Sequence, residues 1–309
     1  MDLEREIQET GSLLNLDLLS KQLVEGFISG LHKSPFHGFS AEFAEHRIYN
    51  TGESTRHIDW KLYARTDKYY TKRYEEETNL RCHLIIDNSS SMHFPAVPVQ
   101  KIGSLNKIGF SVMASACIMQ ILKKQRDAVG MSIYSDQYSF YAPEKGSERH
   151  RKMLLNVLQE ALTPVTDLRQ TNTYTFLHQI AEKLKRRSLV FLFSDMFQTE
   201  VEEGQLLEAL RHLKYNKHEV ILFHVTDRKK ELNFDFGEQP KSFIDVETGE
   251  KIDLFAPNIR EDYQKAVSQY FNKLKMSCSR YGIKYVEADI NENFNRILST
   301  FLVERQKFV

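Results

Sequence analysis

From about residue 81 onward, apolar runs of strand length alternate with amphipathic stretches of helix length. That alternation is the pattern of a sheet covered by helices on both faces. Cys82 to Asp87 (CHLIID) reads as the first strand, and the segment from Leu105 to Lys124 is apolar nearly all round, which predicts a central, buried helix. Val129 to Tyr134 and Tyr138 to Tyr141 predict two more strands, joined as a hairpin across Ser135, Asp136 and Gln137. A helix from about Ser147 to Leu162, a Thr-rich loop, a helix from Tyr174 to Arg186 and a strand from Leu189 to Phe193 follow. The alternation then repeats with a helix near Val201 to Tyr215 and a strand from Val220 to Val225. A long helix carries the stripe Tyr263, Val267, Tyr270, Phe271 and Leu274 and is closed by Gly282. Ile283 to Ala288 and a terminal helix with Phe294, Ile297, Leu298, Phe301 and Leu302 bring the count to about six strands.

Two regions fall outside this scheme. Residues 228–256 are polar, with a Thr248-Gly249 turn that predicts a β hairpin inserted into the repeating pattern, and no chemistry is legible in them. The first 79 residues hold an opening helix with Leu14, Leu18, Leu19, Leu23 and Phe27, then a dense charged and aromatic segment. The expected organisation is therefore an N-terminal part, 1–79, and an α/β domain, 80–309, a mostly parallel sheet with helices on both faces.

Composition narrows the function classes. Hydrophobic residues make up 41% of the 309, so the chain is expected to build a substantial core. Lys and Arg total 42 against 42 for Asp and Glu, which removes any global charge argument for nucleic acid or a lipid surface. The basic clusters at Lys123-Lys124 and Lys185-Arg186-Arg187 fall at predicted helix C-termini, where cations oppose the negative dipole end. The longest apolar stretch, Ile108 to Leu122, is interrupted by Gly109, Ser111, Ser115 and Gln120 and falls short of the roughly 20 residues of a membrane span. The acidic opening Met-Asp-Leu-Glu lacks a secretory pattern, and Cys82, Cys117 and Cys278 form no paired framework. A cytoplasmic protein without a membrane span is the expectation.

Candidate chemistry gathers at strand ends. The strand CHLIID delivers Asp87 at its carboxyl end and opens the pattern Asp87-x-Ser89-x-Ser91. A second strand ends at Asp195, and the loop Gln170-Thr171-Asn172-Thr173 precedes the neighbouring helix. In a doubly wound sheet, ligands bind beyond the carboxyl ends of the strands where their order reverses. Asp87, Ser89, Ser91, Thr171 and Asp195 would supply only hard oxygens, a set suited to Mg2+ or Mn2+. Two carboxylates balance a divalent ion and neutral hydroxyls add no further charge, so the ion would stay electrophilic. An open position on it could then accept a carboxylate from another molecule. The plainer alternative is that Ser and Asp merely cap the helices that follow these strands.

These three loops together resemble the metal-ion-dependent adhesion site of von Willebrand factor A domains, over about residues 80 to 300. The preceding segment is more specific. It reads Glu42-Phe43, Glu45, Arg47-Ile-Tyr49, Gly52-Glu53, Arg56-His-Ile58-Asp59-Trp60-Lys61 and Ala64-Arg65. This run resembles the bacterial family named domain of unknown function 58, which joins such a segment to a von Willebrand A-like (Rossmann-like) domain. The resemblance implies a partner, a MoxR-type AAA+ ATPase or that ATPase's client, and a chaperone-associated role in maturing other proteins. Many such relatives carry N-terminal membrane helices, and this chain is expected to be a version without them.

Read on chemistry alone, Arg47, Arg56 and Arg65 stand among Glu42, Glu45, Glu53, Asp59 and the single tryptophan, Trp60. Guanidinium groups pair with carboxylates and stack on rings, so this segment is expected to be a salt-bridged shell or, failing that, a partner-binding surface. Tyr49 and Gly52 complete its motif. No phosphate loop, dinucleotide fingerprint, nucleophile elbow or HExxH helix is present. The enzymatic rivals are a magnesium nuclease using the order Asp59-Trp60-Lys61 on a strand, or a phosphoesterase using the Asp87/Asp195 ion. The favoured expectation is a non-enzymatic, metal-dependent adaptor.

Overall fold

The computed structural model describes residues 15–32, 46–48, 60–72, 80–97, 103–135, 138–163, 173–197, 200–244, 249–292 and 296–300. In chain order these form α1 (Leu16–His32), β1 (His46–Ile48), α2 (Trp60–Thr66), β2 (Tyr70–Lys72) and β3 (Arg81–Asp87). A 3-10 turn (Ser90–His93) leads to α3 (Lys107–Lys124), β4 (Ala128–Tyr134), β5 (Tyr138–Lys145), α4 (Glu148–Glu160), α5 (Thr173–Lys183) and β6 (Leu189–Ser194). Then come α6 (Glu200–Tyr215), β7 (Glu219–Thr226), a π turn (Arg228–Leu232), β8 (Lys241–Ile244), β9 (Lys251–Leu254), α7 (Ala256–Arg280) and β10 (Lys284–Asp289). Residues 296–300 are helical.

The central sheet has six strands in the order β10-β7-β6-β3-β4-β5. All neighbours run parallel except the edge pair β4 and β5, which the short connection across 135–137 forces to be antiparallel. The inner strands β3, β6 and β7 are near-continuous apolar runs because both of their faces are covered. Cys82, Leu84 and Ile86 of β3 face one layer, built from α1, α3, α4 and Ile297-Leu298. Ile85 faces the other, built from α5, α6 and α7. The six strands, the hairpin edge and the two helical layers agree with the von Willebrand A-like, Rossmann-like architecture expected from the sequence.

α3 is buried from Lys107 through Leu122, which explains a sequence without a polar face. Asn106 caps it, accepting from the Gly109 N–H at 2.9 Å. The long helix α7 ends before Gly282, whose φ of +68° lets the chain turn back into β10. Cys82, Cys117 and Cys278 are buried free thiols.

Strand order reverses at β3. From β3 the chain passes through α3 to β4 on one side, and it returns through α4 and α5 to β6 on the other. The loops after β3 and β6 therefore part, leaving a crevice beyond their carboxyl ends.

Two small antiparallel pairs lie outside this sheet. β1 pairs with β2, His46 opposite Lys72, and β8 pairs with β9, Ile244 opposite Lys251, as the inserted hairpin predicted around Gly249. Trp60 and Lys61 open helix α2, so the order Asp59-Trp60-Lys61 does not continue on a strand as the nuclease alternative required. Trp60 is 59% exposed and meets the ring of Tyr63 edge-on, while Arg65 is exposed. Tyr49, Gly52, Arg56 and Asp59 lie outside the described residues, and of Arg47 only its place in β1 is described.

Candidate functional site

Asp87 ends β3 with its side chain almost completely buried, 1% exposed. Its Oδ1 accepts from the Ser89 N–H at 3.0 Å. Its Oδ2 accepts from the Ser194 hydroxyl at 2.7 Å and from the Tyr134 hydroxyl at 3.3 Å. Three strands thus hold one carboxylate: β3 carries it, β6 supplies Ser194 and β4 supplies Tyr134. Burial, and then the negative charge of Asp195, raise the Asp87 carboxyl from 3.8 to about 6. Its hydrogen bonds from Ser194 and Ser89 act the other way without cancelling the rise.

The serines of the loop do not behave as helix caps. Ser89 precedes the 3-10 turn yet makes no side-chain capping bond. Its Oγ lies 3.0 Å from the Ser91 Oγ, so two hydroxyls converge beside Asp87. Ser91 also hydrogen-bonds the Asp195 carboxylate. Of the Thr-rich loop, Thr171 lies outside the described residues, while Thr173 begins α5, is 1% exposed and hydrogen-bonds Tyr134. The hydroxyl line Thr173, Tyr134, Asp87 ties the start of α5 to the end of β3.

Asp195 follows β6 and is equally buried, 3% exposed. Its Oδ2 accepts from Lys107 Nζ at 2.8 Å, and its Oδ1 takes the Phe197 N–H at 3.4 Å. Lys107 is fully buried at the start of α3 and also donates to Glu231 in the π turn. The ring centroids of Phe94 and Phe197 lie 5.9 and 5.8 Å from its ammonium. Burial alone would lower the lysine pKa, but the charges of Asp195 and Glu231 outweigh it and raise it. Burial likewise presses the Asp195 carboxyl upward, and Lys107 more than reverses that, holding it below the usual range. Glu231 stays raised, by burial first, since Lys107 offsets only part of that cost.

The structure therefore brings together Asp87, Ser89, Ser91 and Asp195 of the set expected from sequence. It adds Ser194, Tyr134, Lys107 and Glu231. The expectation that residues 228–256 carry no chemistry is corrected: the π turn at their start sends Glu231 to Lys107. A signal for Lys107 does exist in the sequence. It occupies the first turn of a helix with no acidic residue there, where a cation opposes the helix dipole and needs another partner. Tyr134 gave no such signal, because it closes an apolar strand.

Charge decides whether a divalent ion fits. Three carboxyl groups, Asp87, Asp195 and Glu231, gather around one fully buried ammonium, Lys107, and the Lys230 ammonium stands 5.5 Å from the Phe94 ring. Among the described residues no three His, Cys, Asp or Glu side chains form a metal-holding group. An ion here would rest on the serine hydroxyls together with Asp87 and Asp195, all hard oxygens. Magnesium or manganese fits that donor set and that charge, and zinc does not.

Among the described residues no helix is long and apolar enough to cross a membrane. A 260-residue alignment to an uncharacterised protein of Mycobacterium bovis shows 22% identity and covers 84% of this chain and 78% of that one. An uncharacterised protein of Mycobacterium tuberculosis matches equally. Among solved structures, the conserved hypothetical protein BatB of Bacteroides thetaiotaomicron superposes with a TM-score of 0.45 at 12% identity, over 74% of this chain and 100% of that one. An aerotolerance-related membrane protein of Bacteroides fragilis gives 0.43 at 14% identity, over 74% and 99%. The family profile described as "Protein of unknown function DUF58" matches residues 45–272, covering the latter part of the N-terminal segment and most of the sheet, so the chain belongs to the DUF58 family.

Proposed function

We propose that this DUF58 protein is a non-enzymatic interaction adaptor whose crevice takes a magnesium or manganese ion and, through it, a carboxylate on a partner protein. The observation that carries this is the pair of buried carboxylates, Asp87 and Asp195, at the point where strand order reverses, with the hydroxyls of Ser89 and Ser91 between them. Asp87, Ser89, Ser91, Asp195 and, from the Thr-rich loop, Thr171 would hold the ion. When bound, the ion supplies an electrophilic position for an acidic group. The chain's own work is orientation. Ser194 and Tyr134 fix the Asp87 carboxylate, and Lys107 fixes that of Asp195.

The partner proposed is a MoxR-type AAA+ ATPase or its client, met in the cytoplasm, and it rests on the family resemblance of the segment from Glu42 to Arg65. Calorimetric titration with magnesium or manganese should show weak binding that Asp87→Ala abolishes. Capture from the native cell should retain the ATPase or its client with magnesium and release it with chelator. Undiminished ion binding by Asp87→Ala places the ion elsewhere. Magnesium-dependent cleavage of DNA or RNA that disappears in Lys61→Ala would replace the adaptor with a nuclease.

A further inference from the structure

Lys107 is the feature of the crevice that a simple ion site does not need. Its ammonium is fully enclosed, roofed by Phe94 and Phe197, and shared between a carboxylate of the crevice and one from the 228–256 insertion. Glu231 is in turn fixed, its Oε2 accepting from the Asp227 N–H at 2.8 Å. Asp227 accepts from the Lys230 N–H at 3.3 Å and from Asn291 Nδ2 at 3.3 Å, so the π turn is tied to the residues after β10. A lysine bound this way cannot swing out to solvent without stripping the buried Asp195 and the partly buried Glu231 of their cation.

We propose that Lys107 is a tethered cation that sets the affinity of the crevice for a divalent ion. It neutralises one negative charge permanently, so a bound ion meets one fewer than the carboxyl groups alone would present. Lys107 also makes occupancy sensitive to the insertion through Glu231. The inference rests on the ion-binding reading of the crevice and adds the residues that tune it. Without Lys107 the same oxygens would hold a divalent ion more tightly and exchange it more slowly, because Coulomb attraction in a buried site is weakly screened. With Lys107 but without the Glu231 charge, the crevice would hold one negative charge fewer and bind less.

Charge counting gives a pattern of signs. Lys107→Met leaves one negative charge more than wild type, Glu231→Gln leaves one fewer, and the double variant Lys107→Met/Glu231→Gln restores the wild-type count. Magnesium and manganese affinities, measured by calorimetry and by the rise in melting temperature over a chelator control, should follow that order. Lys107→Met should bind about tenfold or more tightly than wild type, Glu231→Gln about tenfold or more weakly, and the double variant near wild type. Lys107→Met should also melt lowest in chelator and recover most when the ion is added. If Lys107→Met does not fold, Glu231→Gln against the double variant still decides: restored affinity in the double variant supports the inference, and unchanged weakness overturns it. Ion binding that depends on Asp87 but is the same in all four proteins overturns this inference and leaves the adaptor standing. No ion-dependent change in any of them overturns both.

Discussion

The carboxyl of Asp87 offers a thermodynamic test of how the crevice is built. Buried beside Asp195, it is raised from 3.8 to about 6 in the folded protein without an ion. The unfolded chain releases this proton near the ordinary value, so between the two values the native state binds more protons. Stability in chelator must then fall as pH rises through that window. The size follows from about 1.4 kcal/mol per pH unit of separation, which gives about 3 kcal/mol, complete above roughly pH 6.5. Asp87→Asn keeps the shape and can still accept from the Ser89 N–H, but carries no charge. Relative to wild type it should gain up to about 3 kcal/mol at pH 8, with the gain vanishing towards pH 4.

The wild-type curve alone would hide this. His224 is held neutral down to about 4, by burial first, and its contribution runs the other way. Its folded pKa lies below the unfolded 6.5, so stability is lost as pH falls through that range, again by about 3 kcal/mol. The two slopes offset one another. Only the difference between Asp87→Asn and wild type, from urea unfolding in chelator at half-unit steps from pH 4 to 8, isolates the carboxyl. A difference that stays flat across pH 4 to 6.5 would show that Asp87 is not a strained anion and that its charge is compensated within the folded crevice.

His224→Phe should remove the acid-side loss, so its difference curve against wild type rises by up to about 3 kcal/mol as pH falls from 6.5 to 4, measured by the same unfolding series; a flat curve would mean the imidazole titrates freely. Gly130→Ala should destabilise by about 3 kcal/mol or more in urea unfolding, because its Cβ would stand 2.7 Å from His83 Nδ1, 2.8 Å from the Ala142 carbonyl and 2.9 Å from the Glu144 N–H. His83 cannot yield, since it is pinned to Glu144 at 2.8 Å and to Ser132 at 2.7 Å. Gly204→Ala in α6 meets nothing within 4 Å and should gain about 0.5 to 1 kcal/mol, so equal effects at the two glycines would contradict this packing.

The central sheet was legible because its strands are read by a rule that needs no partner. An apolar run such as Leu189–Phe193, closed by the polar Ser194, is a buried parallel strand wherever its neighbours lie. The same rule places Asp87 and Asp195 at carboxyl ends, hence in one crevice. The N-terminal segment followed no such rule. Trp60, with its arginine and acid neighbours, suggested a packed shell; Trp60 is 59% exposed and meets Tyr63 edge-on, while the acids and Arg56 expected around it lie outside the described residues. Composition says which groups can pair and is silent on which face the helix turns inward.

The partners of Asp195 were hidden for a different reason. Lys107 and Glu231 are 124 residues apart, and their meeting depends on where the π turn after β7 lies relative to the start of α3. No local pattern encodes that distance. What the sequence does encode is a frustration: a lysine in the first turn of a helix that is otherwise buried, opposed by the helix dipole and by desolvation together. A cation placed so badly by local rules implies compensating anions somewhere in the fold, and one of the two found here is a residue of the crevice. Local frustration at Lys107 and unbalanced charge at Asp87 and Asp195 are thus two sides of one arrangement. The lysine satisfies part of the negative charge that Asp195 and Glu231 bring to the crevice.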